Sequence, residues 1–209
     1  MPASPKENDV LVVVDVQNDF CTGSVAIPGG PDIVPVINRL GRLFSNVVVT
    51  QDWHPEGHVS FASAHPGAKI GDTVKVAYGD QAVYADHCVR ESWGAALHPG
   101  LKLLAADVIL RKGCRRDIDS FSAFVENDRR TTTGLADMLR ARGAGRLYFT
   151  GLSLNGCVRH SALDARAAGF EATIVVDAAR SRAGIDEKAL FAVFREAGVA
   201  LVQSVDVGA

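Results

Sequence analysis

No excess of charge of either sign marks this chain. Its 209 residues hold 22 Lys and Arg against 24 Asp and Glu, a net charge of −2. Nucleic-acid partners call for a basic excess, so none is expected. The pairs Arg115–Arg116 and Arg129–Arg130 fit solvated surface. Long hydrophobic runs are missing as well. VLVVV at 10–14 has strand length, far below the ~18 apolar residues of a spanning helix, and no membrane partner is expected. The opening MPASPKEND lacks the apolar core of a secretory leader, which implies a cytoplasmic protein. Cysteine is sparse: Cys21, Cys88, Cys114 and Cys157 form no CxxC pair. In a reducing compartment these are free thiols, and a special one is special for its chemistry. Internal repeats, low-complexity tracts and linkers are lacking, so residues 1–209 are expected to form a single domain.

What is present is alternation. Apolar, β-branched runs at 10–16, 46–51, 107–111, 146–151, 171–177 and 200–205 read as strands covered on both faces. Amphipathic stretches at 31–45, 133–143, 156–169 and 186–198 read as crossover helices, with Gly143, Gly169 and Gly198 near their ends. The expected fold is α/β: a doubly wound, Rossmann-like six-stranded parallel sheet flanked by helices. Residues 52–100 break the alternation and hold five of the six His, both Trp and three of the eight Pro. An irregular insertion of that length in a compact domain is functional or disordered, and Trp53, Phe61, Tyr84 and Trp93 argue against disorder.

Ligands of open α/β sheets bind beyond the carboxyl ends of the strands. Four successive strands here end in chemistry: Asp15, then Asp52-Trp53-His54, then Lys112, then the turn to Cys157. Free cysteines are most often packing. Asn155-Gly156, however, can form a turn that sets Cys157 in the first turn of a helix, whose positive end would lower the thiol pKa. Backbone N–H groups there could hold an oxyanion. A nucleophile also needs a base. A carboxylate inside VVVDVQNDF is costly to bury unpaired. A Cys–Asp–Lys set follows, with Asp15 taking the thiol proton and Lys112 holding both partners charged. Asp52 and His54, at i and i+2, can converge on one metal ion. A third ligand would come from His58, His65, His87 or His98, and spacing does not choose among them. Two histidines with one carboxylate leave coordination positions open for substrate.

The segments VVVDVQNDF (12–20), TQDWHPEGHVSFAS (50–63), DHCV (86–89), HPG (98–100), RKG (111–113), DSFSAF (119–124) and TGLSLNGCV (150–158) resemble the nicotinamidase/pyrazinamidase branch of the isochorismatase-like cysteine hydrolases. The resemblance runs in order over about residues 10–180. It implies Asp15, Lys112 and Cys157 as the catalytic triad and Asp52, His54 and His87 as metal ligands, so that the insertion after the second strand binds metal. His58 would be a further ligand or support one. It also implies a cis peptide at Leu152–Ser153, an oxyanion hole from the N–H groups of Ser153 and Cys157, and Phe20 against the substrate ring. Tyr84, Phe121 and Leu152 complete the expected pocket. The chain departs from the pattern at Tyr84-Ala85 (usually Trp-Pro), at Phe121 (usually Tyr) and at Asn155-Gly156 (usually Asp-aromatic).

The activity so implied is metal-dependent hydrolysis of nicotinamide to nicotinate and ammonia, and of pyrazinamide to pyrazinoate, in NAD salvage. One divalent ion is expected, zinc first, with iron and manganese also suited to the ligand set. The nearest rival is a sister amidase acting on another small amide, such as maleamate; metal-free sisters lack the D-x-H pair. A nucleotide-binding module is disfavoured, because DVQNDF replaces a Gly-rich phosphate loop after the first strand. The expected partner is a small-molecule substrate, and a homo-oligomer stays open.

Overall fold

The computed structural model describes residues 4–102 and 106–208. Six strands, β1 (Val10–Val14), β2 (Asn46–Asp52), β5 (Ala106–Lys112), β6 (Arg146–Leu152), β7 (Glu171–Arg180) and β8 (Ala200–Val202), form one sheet in the order β5-β2-β1-β6-β7-β8. Every pairing in it is parallel. A separate antiparallel hairpin joins β3 (Thr73–Val76) to β4 (Gly79–Ala82).

The central strand β1 shows why the sheet is covered twice. Val10, Val12 and Val14 enter one core with Phe149 and Phe194, while Leu11 and Val13 enter the other with Ile37 and Leu40. All five are buried, and full burial of such a side chain contributes about 1.5–3 kcal/mol. Three helices, α3 (Leu135–Ala141), α4 (Arg159–Ala167) and α5 (Glu187–Glu196), supply the first core through Leu135, Leu139, Ala162, Ala165, Leu190 and Phe194. Helix α2 (Val34–Leu40) supplies the second with Val34, Ile37 and Leu40, spaced for one helical face. Asp186 caps α5 by accepting from the N–H groups of Lys188 and Ala189 at 3.0 and 3.1 Å. Gly143, Gly169 and Gly198 follow α3, α4 and α5 with positive φ, as helix-ending glycines do. No helix among the described residues is long and apolar enough to cross a membrane.

Differences from the expected elements have local causes. The first strand stops at Val14 rather than 16, because Asp15 takes φ 49 and its carbonyl accepts from Gln17 N–H at 2.8 Å. The stretch at 31–45 is a 3-10 turn (Pro31–Ile33) followed by α2, which ends at Leu40. A short helix, α1 (Asn18–Cys21), and the β3–β4 hairpin were not expected; four residues carry no period, and TVKV and GDQA are largely exposed. The insertion at 52–100 is otherwise irregular but tied down. Backbone bonds link His54 to Cys88 and Arg90, Tyr84 to Ser60 and Ala62, and Asn18 to Ala96.

Candidate active site

The strand order reverses between β1 and β6, which makes that junction the topological switch point of the sheet. Asp15 leaves the end of β1 there, and Cys157 follows β6. Lys112 ends β5 opposite Asp52 in the strand register, and its long stem carries the ammonium toward the junction. Its Nζ lies 2.8 Å from Asp15 Oδ2, 2.5 Å from Asp52 Oδ1, 2.9 Å from the Ser120 carbonyl and 3.5 Å from Cys157 Sγ. An ammonium has three protons. Asp52 Oδ1, the Ser120 carbonyl and Cys157 Sγ stand in hydrogen-bonding geometry to them, while Asp15 Oδ2 is held by the charge as an ion pair.

Asp15 is fully buried. Its Oδ1 accepts from Thr50 Oγ1 at 2.5 Å, whereas Oδ2 makes no hydrogen bond of good geometry beyond its ion pair. That oxygen is the acceptor left for the thiol; acceptor atoms of Asp15, Asp52 and Cys157 all lie within 4.8 Å of one another. Burial raises the Asp15 carboxyl to about 6, with Lys112 pulling against it and Asp52 adding to the rise. Burial also opposes charge on Asp52, but Lys112 and His54 outweigh it and hold that carboxyl well below its usual range. For Lys112, burial works against the charge, and the two carboxylates overcome it and raise the ammonium above its ordinary value.

Cys157 corrects one expectation. It sits in a π-type turn, Leu154–Val158, two residues ahead of the first residue of α4 rather than in its first turn. Burial pushes its thiol well above the ordinary range, with Lys112 opposing and Asp15 adding to the rise. The resting group is a thiol beside a carboxylate, and a proton must move before sulfur can attack. Gly156 shapes the turn: its φ −118, ψ −109 is outside the regular regions, and a Cβ there would meet Ser153 Oγ at 2.5 Å. An aromatic residue before Cys157 would not fit this backbone. The peptide Leu152–Ser153 is cis.

Asp52, His54 and His87 each offer one ligand atom within 4.8 Å of the others, and all three are buried. His54 Nδ1 faces the Gly113 carbonyl at 2.9 Å, and His87 Nδ1 faces the Ala85 carbonyl at 2.8 Å. Donating there leaves Nε2 of each ring as a lone pair, the arrangement typical of metal-ligating histidines. Gly113 has φ 61, and a Cβ on it would meet His54 Cε1 at 2.5 Å, so the close approach requires glycine. Burial lowers His87 to about 4, with His54 adding to the fall, and it stays neutral at pH 7. Burial also pulls on His54, but the Asp52 carboxylate overcomes it and raises the imidazole. Two carboxylates around one ammonium leave the cluster short of positive charge. The donor set and that charge both fit a divalent cation.

His58 stacks on His54, with centroids 4.0 Å apart, and faces Ser60 Oγ at 2.7 Å and the Ile118 carbonyl at 3.3 Å. It groups with His54 and Asp119 instead of with Asp52 and His87. His65 faces the Val59 carbonyl at 2.8 Å, and His98 accepts from Gly100 N–H at 3.1 Å. Phe20, Tyr84, Phe121, Ser153 and Cys157 line a cavity of about 200 Å³ together with Asp52 and His87. Leu152, expected there, is a correction. Strand alternation aims it with Tyr148 into the second core, where it is fully buried and absent from the lining.

Asn155 and Gly156 line the cavity too, and so do three residues that the sequence did not mark: Asp119, His160 and Arg182, with His160 stacked on Phe121 at 5.3 Å between centroids. Gln17 clamps β1 to β2, its side chain exchanging two 2.8 Å bonds with the Asp52 backbone. Spacing held part of the signal: Gln17 lies two residues beyond Asp15, and Thr50 two before Asp52.

A buried thiol, carboxylate and ammonium at the switch point of a doubly wound sheet define an α/β enzyme with hydrolytic chemistry. Residues 9–206 match the isochorismatase domain family, and the chain belongs to it. A nicotinamidase from Acinetobacter baylyi is 46% identical over 175 residues, covering 83% of this chain and 82% of that protein. The structure of a nicotinamidase/pyrazinamidase from Acinetobacter baumanii superposes with a TM-score of 0.94 at 39% identity, over 97% of this chain and 99% of that one. A pyrazinamidase of Pyrococcus horikoshii in complex with zinc gives 0.77 at 31%, over 94% and 99%. The chain is an amidohydrolase, and the resemblance read from its motifs stands.

Proposed function

We propose that this enzyme hydrolyses nicotinamide to nicotinate and ammonia, and pyrazinamide to pyrazinoate, in NAD salvage. The observation that carries the reading is the Asp15 carboxylate, ion-paired to Lys112, beside the Cys157 thiol, which lines a cavity of about 200 Å³. Nicotinamidase relatives at up to 46% identity supply the substrate class.

Asp15 accepts the thiol proton, and Cys157 Sγ attacks the carboxamide carbon. The oxyanion is received by the N–H groups of Ser153 and Cys157. Asp15 returns the proton to the departing amine, which leaves as ammonia while the acyl group stays on Cys157 as a thioester. Asp15 then takes a proton from water as hydroxide adds to the thioester; collapse expels the Cys157 sulfur, which recovers that proton from Asp15, and nicotinate leaves. Lys112 keeps Asp15 poised between its charged and neutral forms. Asp52, His54 and His87 would hold one divalent ion, with zinc favoured by the metal in the Pyrococcus relative and iron or manganese compatible with the same ligands. Such an ion would supply Lewis-acid chemistry beside the cavity. His58 would support His54 through stacking. The test is ammonia release from nicotinamide, pyrazinamide and maleamate by metal-replete protein. Cleavage of maleamate alone would replace the reading with the sister amidase.

A further inference from the structure

Arg182 lines the same cavity as Cys157, and its guanidinium lies over the Tyr84 ring, 4.7 Å from the centroid. Its backbone N–H donates to Asn155 Oδ1 at 2.9 Å, which ties its loop to the turn that carries Cys157. The side chain is otherwise uncommitted. Among the described residues the arginine ion pairs belong to Arg115, Arg129, Arg140, Arg142 and Arg146. A guanidinium stacked by its face keeps its in-plane N–H donors free, and those donors match a carboxylate in fork geometry.

The other charges of the cavity are already satisfied. Asp52 holds Lys112. Asp119 accepts from Ser120 N–H at 2.8 Å and from Gln81 Nε2 at 2.9 Å. Arg182 is thus a half-buried cation in the lining with no anion of its own.

We propose that Arg182 is a specificity-determining residue that receives an anionic substituent on the substrate, so that small amides bearing a second, carboxylate group are accepted beside neutral ones. This rests on the amidase reading of Cys157. It extends that reading to the chemistry of the rest of the substrate. The loop bond through Asn155 fixes the arginine relative to the thiol.

The test compares kcat/KM for nicotinamide, for the monoamide of pyridine-3,5-dicarboxylic acid, and for the methyl ester of that monoamide. It uses wild type, Arg182→Met and Arg182→Lys, with thermal unfolding to check that each variant is folded. The acid-to-ester ratio should fall at least tenfold in Arg182→Met and less in Arg182→Lys, which keeps the charge without the fork. In wild type the ratio should also drop at high ionic strength, because a half-buried charge is partly screened; a purely structural role would not move it. An equal ratio in all three proteins overturns the inference. So does wild-type cleavage of nicotinamide and the ester but not of the acid, an outcome that leaves the nicotinamidase reading standing. Arg182-dependent cleavage of the acid without cleavage of nicotinamide does the reverse.

Discussion

Replacing Lys112 with Met keeps an unbranched stem and removes the single ammonium between Asp15 and Asp52. Nζ is within 2.8 Å of both carboxylates and the side chain is fully buried. Deleting one partner of a buried ion pair costs about 3–5 kcal/mol, because the remaining charge is stranded. Part of that cost is titratable. Asp15 already stands at about 6 against an ordinary 3.8, a difference worth about 3 kcal/mol at ~1.4 kcal/mol per unit. With the folded pKa raised, the protonated form is the one that folding favours. Its contribution is complete below about 3.8 and is lost as pH rises through about 6. Without Lys112 the folded pKa rises further, and the loss extends to higher pH. Unfolding free energies from urea titration of wild type and Lys112→Met, both metal-chelated, should therefore differ by several kcal/mol at pH 8 and by clearly less at pH 5. Losing Lys112 should shift Asp15 further toward its neutral form, and turnover at pH 7 should collapse. Lys112→Arg should not restore it, since a planar guanidinium does not fit a site built for three converging acceptors. A deficit below about 1 kcal/mol, or one equal at both pH values, would refute the reasoning.

Other outcomes follow from the same geometry. His87→Ala should lose most of the bound divalent metal by elemental analysis and raise the KM for nicotinamide; full occupancy would move the third ligand to His58 or His65. Tyr84→Trp should alter the ratio of nicotinamide to pyrazinamide turnover more than the acylation rate, because Tyr84 lines the cavity without touching Lys112 or Asp15. An unchanged ratio would take Tyr84 out of specificity. Cys21 and Cys114 should tolerate Ala with little loss of ammonia release. Cys88→Ala is expected to lose more, since Cys88 is buried beside His87 with φ 46 and its N–H donates to Asp19.

Most of the sheet could be read from the sequence because its strands are buried on two faces and its helices end in glycine. The strand-end rule gathered Asp52 and Lys112 as the last residues of their strands, Asp15 as the next residue after one, and Cys157 five residues beyond β6. What escaped was set by tertiary contact. Nothing in the spacing says that Lys112 serves Asp52 as well as Asp15, because that depends on β5 and β2 being neighbours. The direction of the Cys157 shift was also hidden. A helix start predicts a lowered pKa, but burial dominates and the turn precedes the helix. Leu152 was placed on the wrong side because the pocket lies at the strand end while its side chain obeys the strand period. Arg182 lies just past β7, which runs on to Arg180 where the sequence suggests an end at 177, and His160 lies in α4, so the expected strand ends pointed to neither.

The most direct measurement is ammonia release from nicotinamide by wild type and Cys157→Ala side by side, each checked for fold by circular dichroism and for metal content. Wild type should turn over, and the variant, folded and metal-bound, should release no ammonia above background. Retention of more than a few per cent of wild-type turnover would contradict a mechanism that runs through the Cys157 thiol.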